Sequence, residues 1–149
     1  MLQPTAEVER FVRFQQVARL ATVDARGRPH AVPIVYVYAA GHVYTPIDLK
    51  HKTALPARLQ RVRNILTNPQ VQVLIDQYDE NWDRLVYVQL HGRAELLERG
   101  SEYRRALHLL ERKYPQYAQL PLAGRPVIKV TVERTVSWGA GERSVSRRY

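Results

Sequence analysis

Apolar and polar positions alternate with a period of two along most of this chain and give way to a helical period at three places. The first is near the start, where Val8, Phe11 and Val12 share one helical face, Thr5 stands in the cap position and Glu7 suits the positive end. Residues 17–23 then read as a strand, and Asp24-Ala25-Arg26-Gly27 as a turn in which Gly27 is free to take a positive φ. Residues 29–38 are rich in β-branched and aromatic side chains and read as a second strand. Pro33 cannot donate to a ladder, which places that strand at an edge or a bulge. After Ala39-Ala40-Gly41, residues 42–45 complete a meander.

The period changes again after Pro46: Leu55, Leu59, Val62 and Leu66 fall at helical spacing, and Asn68-Pro69 stops the helix. Strands over 71–75 and 85–97 follow, joined by the acidic, aromatic loop Tyr78-Asp79-Glu80-Asn81-Trp82-Asp83. The third helix has Ser101 as its expected cap and Tyr103, Ala106, Leu107 and Leu110 on its apolar face, and it ends before Pro115. A last strand covers 127–132. This order of helix, three strands, helix, two strands, helix and strand is not the strict alternation of a parallel α/β sheet. It predicts a mainly β fold with helices: a six-stranded antiparallel split β-barrel with flanking helices. With 149 residues and no Gly/Ser linker, one domain over 1–140 is expected, followed by a frayed basic tail over 141–149.

Composition narrows the chemistry. No cysteine is present, which removes disulfides, thiolate metal sites and cysteine nucleophiles. No stretch has the apolar length of a membrane span and no secretion signal opens the chain, so a cytoplasmic protein without membrane partners is expected. His30, His42, His51, His91 and His108 show no i, i+4 pairing, and no metal site is expected, although a single axial haem histidine needs no motif. The serines all follow residue 100, and none sits in a nucleophile elbow. The formal net charge of +9 suits a polyanion. The aromatic residues fall on strands as core candidates, without the basic–aromatic surface pattern of single-strand binders, so nucleic acid is not the expected partner.

One basic stretch has more specific chemistry. Residues 44–53 lead from a strand end into a helix start and hold Lys50, Lys52 and Thr53, with Arg58 and Arg61 one to two turns on. Lysine ammoniums, arginine forks and helix-start amides together form a phosphate cradle, although the same residues also fit a solvated basic loop.

The chain resembles the pyridoxamine 5′-phosphate oxidase-like, FMN-binding split-barrel superfamily, in particular its branch using the deazaflavin F420. The resemblance rests on residues 17–24, Gly27-Arg28-Pro29-His30-Ala31-Val32-Pro33, Val43-Tyr44-Thr45 with Lys50-His51-Lys52, the stretch from Arg63-Asn64-Ile65 to Asn68-Pro69, Gly92-Arg93-Ala94 and Val136-Ser137-Trp138. It covers roughly residues 5 to 140 in order. It implies a homodimer with cofactor sites between subunits and a small-molecule substrate. His30, Val32 and Pro33 would line the flat ring through backbone and side-chain contacts, Tyr44 and Thr45 would approach it, Lys50, Lys52 and Thr53 would hold the phosphate, and Arg61 would assist. Trp138 would pack near the ring or else close the barrel as a core aromatic. The Arg-x-His substrate motif of the oxidases proper is missing from the C-terminus, which turns the expectation from vitamin B6 oxidation towards F420, with FMN as the alternative. F420 also carries an acidic tail that suits the charge. The expected activity is hydride transfer to or from a small unsaturated organic substrate, with the cofactor carrying the chemistry and no catalytic side chain required. Tyr44 or a bound water would supply any proton. A non-catalytic protein that binds flavin, F420 or haem is the competing expectation.

Overall fold

A computed structural model describes residues 4–47 and 59–139. Ten main elements run in the order α1 Ala6–Phe14, β1 Ala18–Val23, β2 Pro29–Ile34, β3 Val37–Ala39, β4 His42–Pro46, α2 Gln60–Thr67, β5 Gln70–Gln77, β6 Val86–Leu97, α3 Ser101–Lys113 and β7 Val127–Trp138. The strands form one antiparallel sheet in the order β2-β1-β5-β6-β7-β4-β3. Its two outermost strands, β2 and β3, are consecutive in the chain and separated only by Val35 and Tyr36. Two residues cannot span a flat sheet of seven strands, since neighbouring strands lie about 4.8 Å apart. The sheet therefore curls until its edges meet, which is the expected split barrel with one difference. The stretch read as a single strand over 29–38 breaks at residues 35–36 into β2 and β3, so there are seven strands and not six.

Tyr36 at this seam is fully buried, and its main chain is served by a side chain rather than by a strand. The Tyr114 hydroxyl accepts from the Tyr36 N–H at 3.0 Å and lies within donating distance of the carbonyls of Tyr36 (3.0 Å) and Gln16 (2.8 Å). The Tyr36 hydroxyl donates to the Val12 carbonyl, and Lys113 Nζ donates to the Gln15 carbonyl at 2.7 Å while lying 4.1 Å from the centre of the Tyr36 ring. The end of α3 thus satisfies the seam and the last carbonyls of α1 together, where a cation is also favoured by the helix dipole. Burial pulls the Lys113 ammonium down to about 8.

Inside the curl, Leu20, Val73, Leu90, Val130 and Val43 meet Val8 and Val12 of α1 and Val62 and Ile65 of α2. A second cluster lies outside the sheet, where Tyr103, Ala106, Leu107 and Leu110 of α3 cover Val37, Tyr44 and Val127. Thr5 caps α1 as expected, accepting from the Val8 N–H. Ser101 does not cap α3: Gly100 holds that position at φ 99° and no side chain bonds the helix end. Leu66 also departs from expectation and is 66% exposed, because Asn64 turns inward in its place. The Asn64 amide donates to Thr22 Oγ1 at 2.9 Å and its oxygen accepts from Gln60 Nε2 at 2.7 Å, so this buried polar pair is satisfied.

The last strand runs six residues beyond the expected 127–132, to Trp138. A bulge at Glu133 shifts the register between His91 and Gly92. A Cβ on Gly92 would lie 2.1 Å from the Thr131 carbonyl oxygen, so the bulge admits only glycine there.

Two substitutions test this frame. Tyr114→Phe should cost about 1–3 kcal/mol by stranding the buried Tyr36 amide. Gly92→Ala should cost at least as much, about 1–3 kcal/mol, through overlap with rigid backbone. Urea denaturation measures both, and wild-type midpoints would contradict the assignments.

Candidate functional site

The outer face of β2-β1-β5-β6-β7 is built from the side chains that alternate with the core. Register places Ala31 opposite Ala21, Pro33 opposite Arg19, Arg19 opposite Leu74, Ala21 opposite Gln72, and Leu74 opposite Gln89. Ala31 and Pro33 are exposed, and Ala21, Gln72, Leu74 and Gln89 are half-buried. Two facing alanines beside a proline make a flat, shallow floor.

The free edge of β2 adjoins this floor. The Asp24 N–H donates to the Arg28 carbonyl, which sets the hydrogen-bonding phase of the β1–β2 hairpin. In that phase the main-chain groups of His30, Val32 and Ile34 point to β1, and those of Pro29, Ala31 and Pro33 point away from it. Both prolines therefore stand where an N–H would be unpaired, and Ala31 holds the outward N–H between them. The prolines blunt the edge, while Ala31 leaves one donor and one acceptor on it.

The structure separates the residues that the family resemblance groups together. Pro33 lies on the outer face. The side chains of His30 and Val32 point to the opposite face, where Val32 packs against the core, and their main chains are taken by β1. Ala31, whose small apolar side chain carries no functional signal in the sequence, turns its side chain to the outer face and its main chain to the open edge.

Thr45 is 2% exposed and shares the inner face with Val43, whereas Tyr44 lies under α3. The Tyr44 hydroxyl donates to Glu102 at 2.8 Å, and Lys129 Nζ holds the same carboxylate at 2.9 Å. Burial, then the Glu102 hydrogen bond and charge, push the Tyr44 hydroxyl up to about 12. Hydrogen bonds from Lys129 and then from Tyr44 hold the Glu102 carboxyl below its usual range. Tyr44 is thus a protonated structural donor on the α3 side, not a group aimed at the β1–β2 floor.

Arg61 is half-buried at the start of α2, and Lys50, Lys52 and Thr53 lie outside the described residues. Trp138 is 42% exposed at the end of β7, which sets aside its reading as a barrel-closing core residue. Its ring stacks on Tyr87, 6.0 Å between centroids and 16° from parallel, on the same outer face. His91, half-buried on that face between Gln72 and Arg134, is held below its ordinary pKa by burial and then by Arg134. A separate open pocket of about 260 Å³ lies between the β1–β2 turn and α2, lined by Asp24, Arg26, Arg28, Gln60, Arg63, Asn64 and Thr67. Asp24 is tied there to Arg28 at 2.7 Å and caps the turn by accepting from the N–H groups of Arg26 and Arg28. Among the described residues no cluster of three or more histidine and carboxylate groups could hold a metal, and no helix is long and apolar enough to cross a membrane.

Comparison with known proteins agrees with this architecture. The profile of the family described as pyridoxamine 5′-phosphate oxidase matches residues 4–139. A 5a,11a-dehydrotetracycline/5a,11a-dehydrooxytetracycline reductase of Streptomyces rimosus is 27% identical over 130 residues, covering 87% of this chain and 78% of the reductase. Among solved structures, protein Rv2991 of Mycobacterium tuberculosis superposes with a TM-score of 0.74 at 24% identity, over 98% of this chain and 94% of that one. A FAD-binding protein of Mesorhizobium loti gives 0.70 at 20% identity, over 91% and 92%. Both show the same fold.

The Tyr44 assignment has a pH consequence. A folded-state pKa above the ordinary 10 means the native state holds this proton more tightly than the unfolded chain does. Its contribution to stability is complete below about pH 10 and is lost as pH rises through about 12. Denaturation midpoints of wild type should fall more steeply over that interval than those of Tyr44→Phe. Parallel curves would contradict the assignment.

Proposed function

Since the chain belongs to the pyridoxamine 5′-phosphate oxidase-like split-barrel family, we propose that it is a homodimeric oxidoreductase using a flavin-type cofactor, the deazaflavin F420 ahead of FMN. The substrate is a small unsaturated organic molecule that gains or loses a hydride. The observation that carries this reading is the open outer sheet face, with its flat Ala21/Ala31/Pro33 floor beside the blunted edge of β2. The small Ala21 and Ala31 side chains suit a planar ring, Arg19 beside them is held by Asp76 at 2.8 Å, and the Ala31 main chain offers a donor and an acceptor to a ring's polar edge. Half-buried Leu74 and Val136 on the same face suit coverage by a second subunit, and the exposed Trp138 ring on that face is assigned to the partner's cofactor.

When bound, the cofactor supplies the hydride chemistry. The chain's own task is to bind, orient and exclude water. Lys50, Lys52 and Thr53 are assigned to the phosphate and Arg61 to its support, with Pro33, Ala31 and Trp138 at the ring. One feature favours F420 over FMN: a net charge of +9 that suits the acidic tail of F420. The similarity to a reductase of a dehydrotetracycline supports an unsaturated organic substrate. A cytoplasmic location suits a chain without cysteine.

Titration of the protein with F420 and, separately, with FMN, followed in the visible spectrum, tests the reading. Saturable F420 binding is expected, weakened about tenfold or more in Lys52→Ala through loss of a charge-assisted phosphate contact. Binding of neither cofactor by the wild type would overturn the proposal. Unchanged affinity in Lys52→Ala would overturn the phosphate assignment alone.

A further inference from the structure

The chain has two tryptophans, Trp82 and Trp138, and both are exposed near one end of the sheet, at 69% and 42%. Tyr78 and Tyr87 join them, at 71% and 37%. Tyr78 follows β5 directly, Trp82 starts a 3-10 turn in the β5–β6 loop, Tyr87 is the second residue of β6 and Trp138 ends β7. The loop end is fastened beside Trp138: a Cβ on Gly139 would lie 1.9 Å from the Leu85 carbonyl oxygen, a contact that glycine alone permits.

Among the described residues, Trp138 keeps 42% of its surface exposed and stacks on one aromatic neighbour. That neighbour is Tyr87, across the β6–β7 pair. On the far side, β4 pairs with β7 only as far as Thr131, so among the described residues no strand adjoins β7 at Trp138. Charge adds a second constraint. The loop carries Asp79, Glu80 and Asp83 against Arg84 alone, a local excess of carboxylate in a strongly basic chain.

We propose that the exposed ring of Trp138, backed by Tyr87 and flanked by the acidic β5–β6 loop, stacks a planar, conjugated polycyclic molecule bearing a cationic group. This would be the substrate class of the site. The aromatic surface supplies area at low entropic cost, and the carboxylates select a cationic substituent. The inference rests on the proposed cofactor site to the extent that Trp138 belongs to both, which sets the stacked molecule beside the cofactor ring.

The chain provides its own reporter. In Trp82→Phe all tryptophan emission comes from Trp138, and titration with the tricyclic cation 9-aminoacridine should quench it saturably. By calorimetry, Trp138→Leu should lower the acridine affinity of the wild type about tenfold or more, as lost stacking predicts. Asp79→Asn combined with Asp83→Asn should weaken the cation while leaving neutral anthracene-9-methanol unchanged. Circular dichroism should show all variants folded, since Trp82, Trp138 and Asp83 are exposed and an asparagine at 79 keeps the oxygen that accepts from the Asn81 N–H. Undiminished acridine affinity in Trp138→Leu would overturn the proposal, as would binding of anthracene-9-carboxylate as tightly as the cation. Light scattering adds a third check: a dimer that dissociates on Trp138→Leu would make the patch a subunit contact and overturn it too. Visible titration with F420 and FMN separates the two readings. Stacking without cofactor binding sinks the cofactor assignment and keeps the shelf, and cofactor binding without stacking does the reverse.

Discussion

The two residues between β2 and β3 impose the constraint on which the rest of the structure depends. They join the opposite edges of a seven-stranded sheet, so the sheet must close on itself. A closed ladder would have served Tyr36 with strand hydrogen bonds. The Tyr114 hydroxyl does this instead, with one oxygen that accepts from an amide and reaches two carbonyls. Each such bond contributes only about 1 kcal/mol net, but leaving the groups unpaired inside the protein costs more. The seam thus makes the end of α3 indispensable and fastens α1 through Val12, Gln15 and Gln16.

This closure also decides which surface remains for function. Once the inner face is filled by α1, α2 and the strand side chains, and α3 has taken the β3–β4 side, the outer face of β2-β1-β5-β6-β7 is left. Its residues are small or flat where β1 meets β2, and aromatic where β6 meets β7. The same split that leaves β2 with a free edge leaves the second half of β7 without β4 beside it. The flat floor and the aromatic end of this face are therefore two consequences of one incomplete closure.

How much of this was legible in the sequence follows from the range of the interactions. Helices α1 and α3 announce themselves through apolar side chains three and four residues apart, and their buried faces contain the residues that the spacing selects. The break at Tyr36 does not, because Val35-Tyr36-Val37-Tyr38 continues a strand pattern locally and the bond that interrupts it comes from Tyr114, 78 positions away. The second half of β7 was hidden by Glu133 and Arg134, which disturb the alternation where the bulge shifts the register. Leu66 misleads in the opposite direction: its spacing is helical, but a satisfied Asn64–Thr22 pair outcompetes it for the interior.

For the site, period-two alternation contains more than a list of neighbouring residues conveys. Adjacent positions on a strand face opposite ways, so His30 and Val32 present side chains to one face and Pro33 to the other, and Tyr44 and Thr45 part in the same way. Register adds the missing information. Pairing Thr22 with His30 and Leu20 with Val32 turns the main chains of His30 and Val32 to β1 and gives the free edge to Ala31. A residue with no reactive group then supplies the outward N–H between two proline carbonyls, while the reactive hydroxyl of Tyr44 is occupied by Glu102 on the far side of the sheet. Shape and unpaired main chain on this face are both set by register and are nearly silent in residue type.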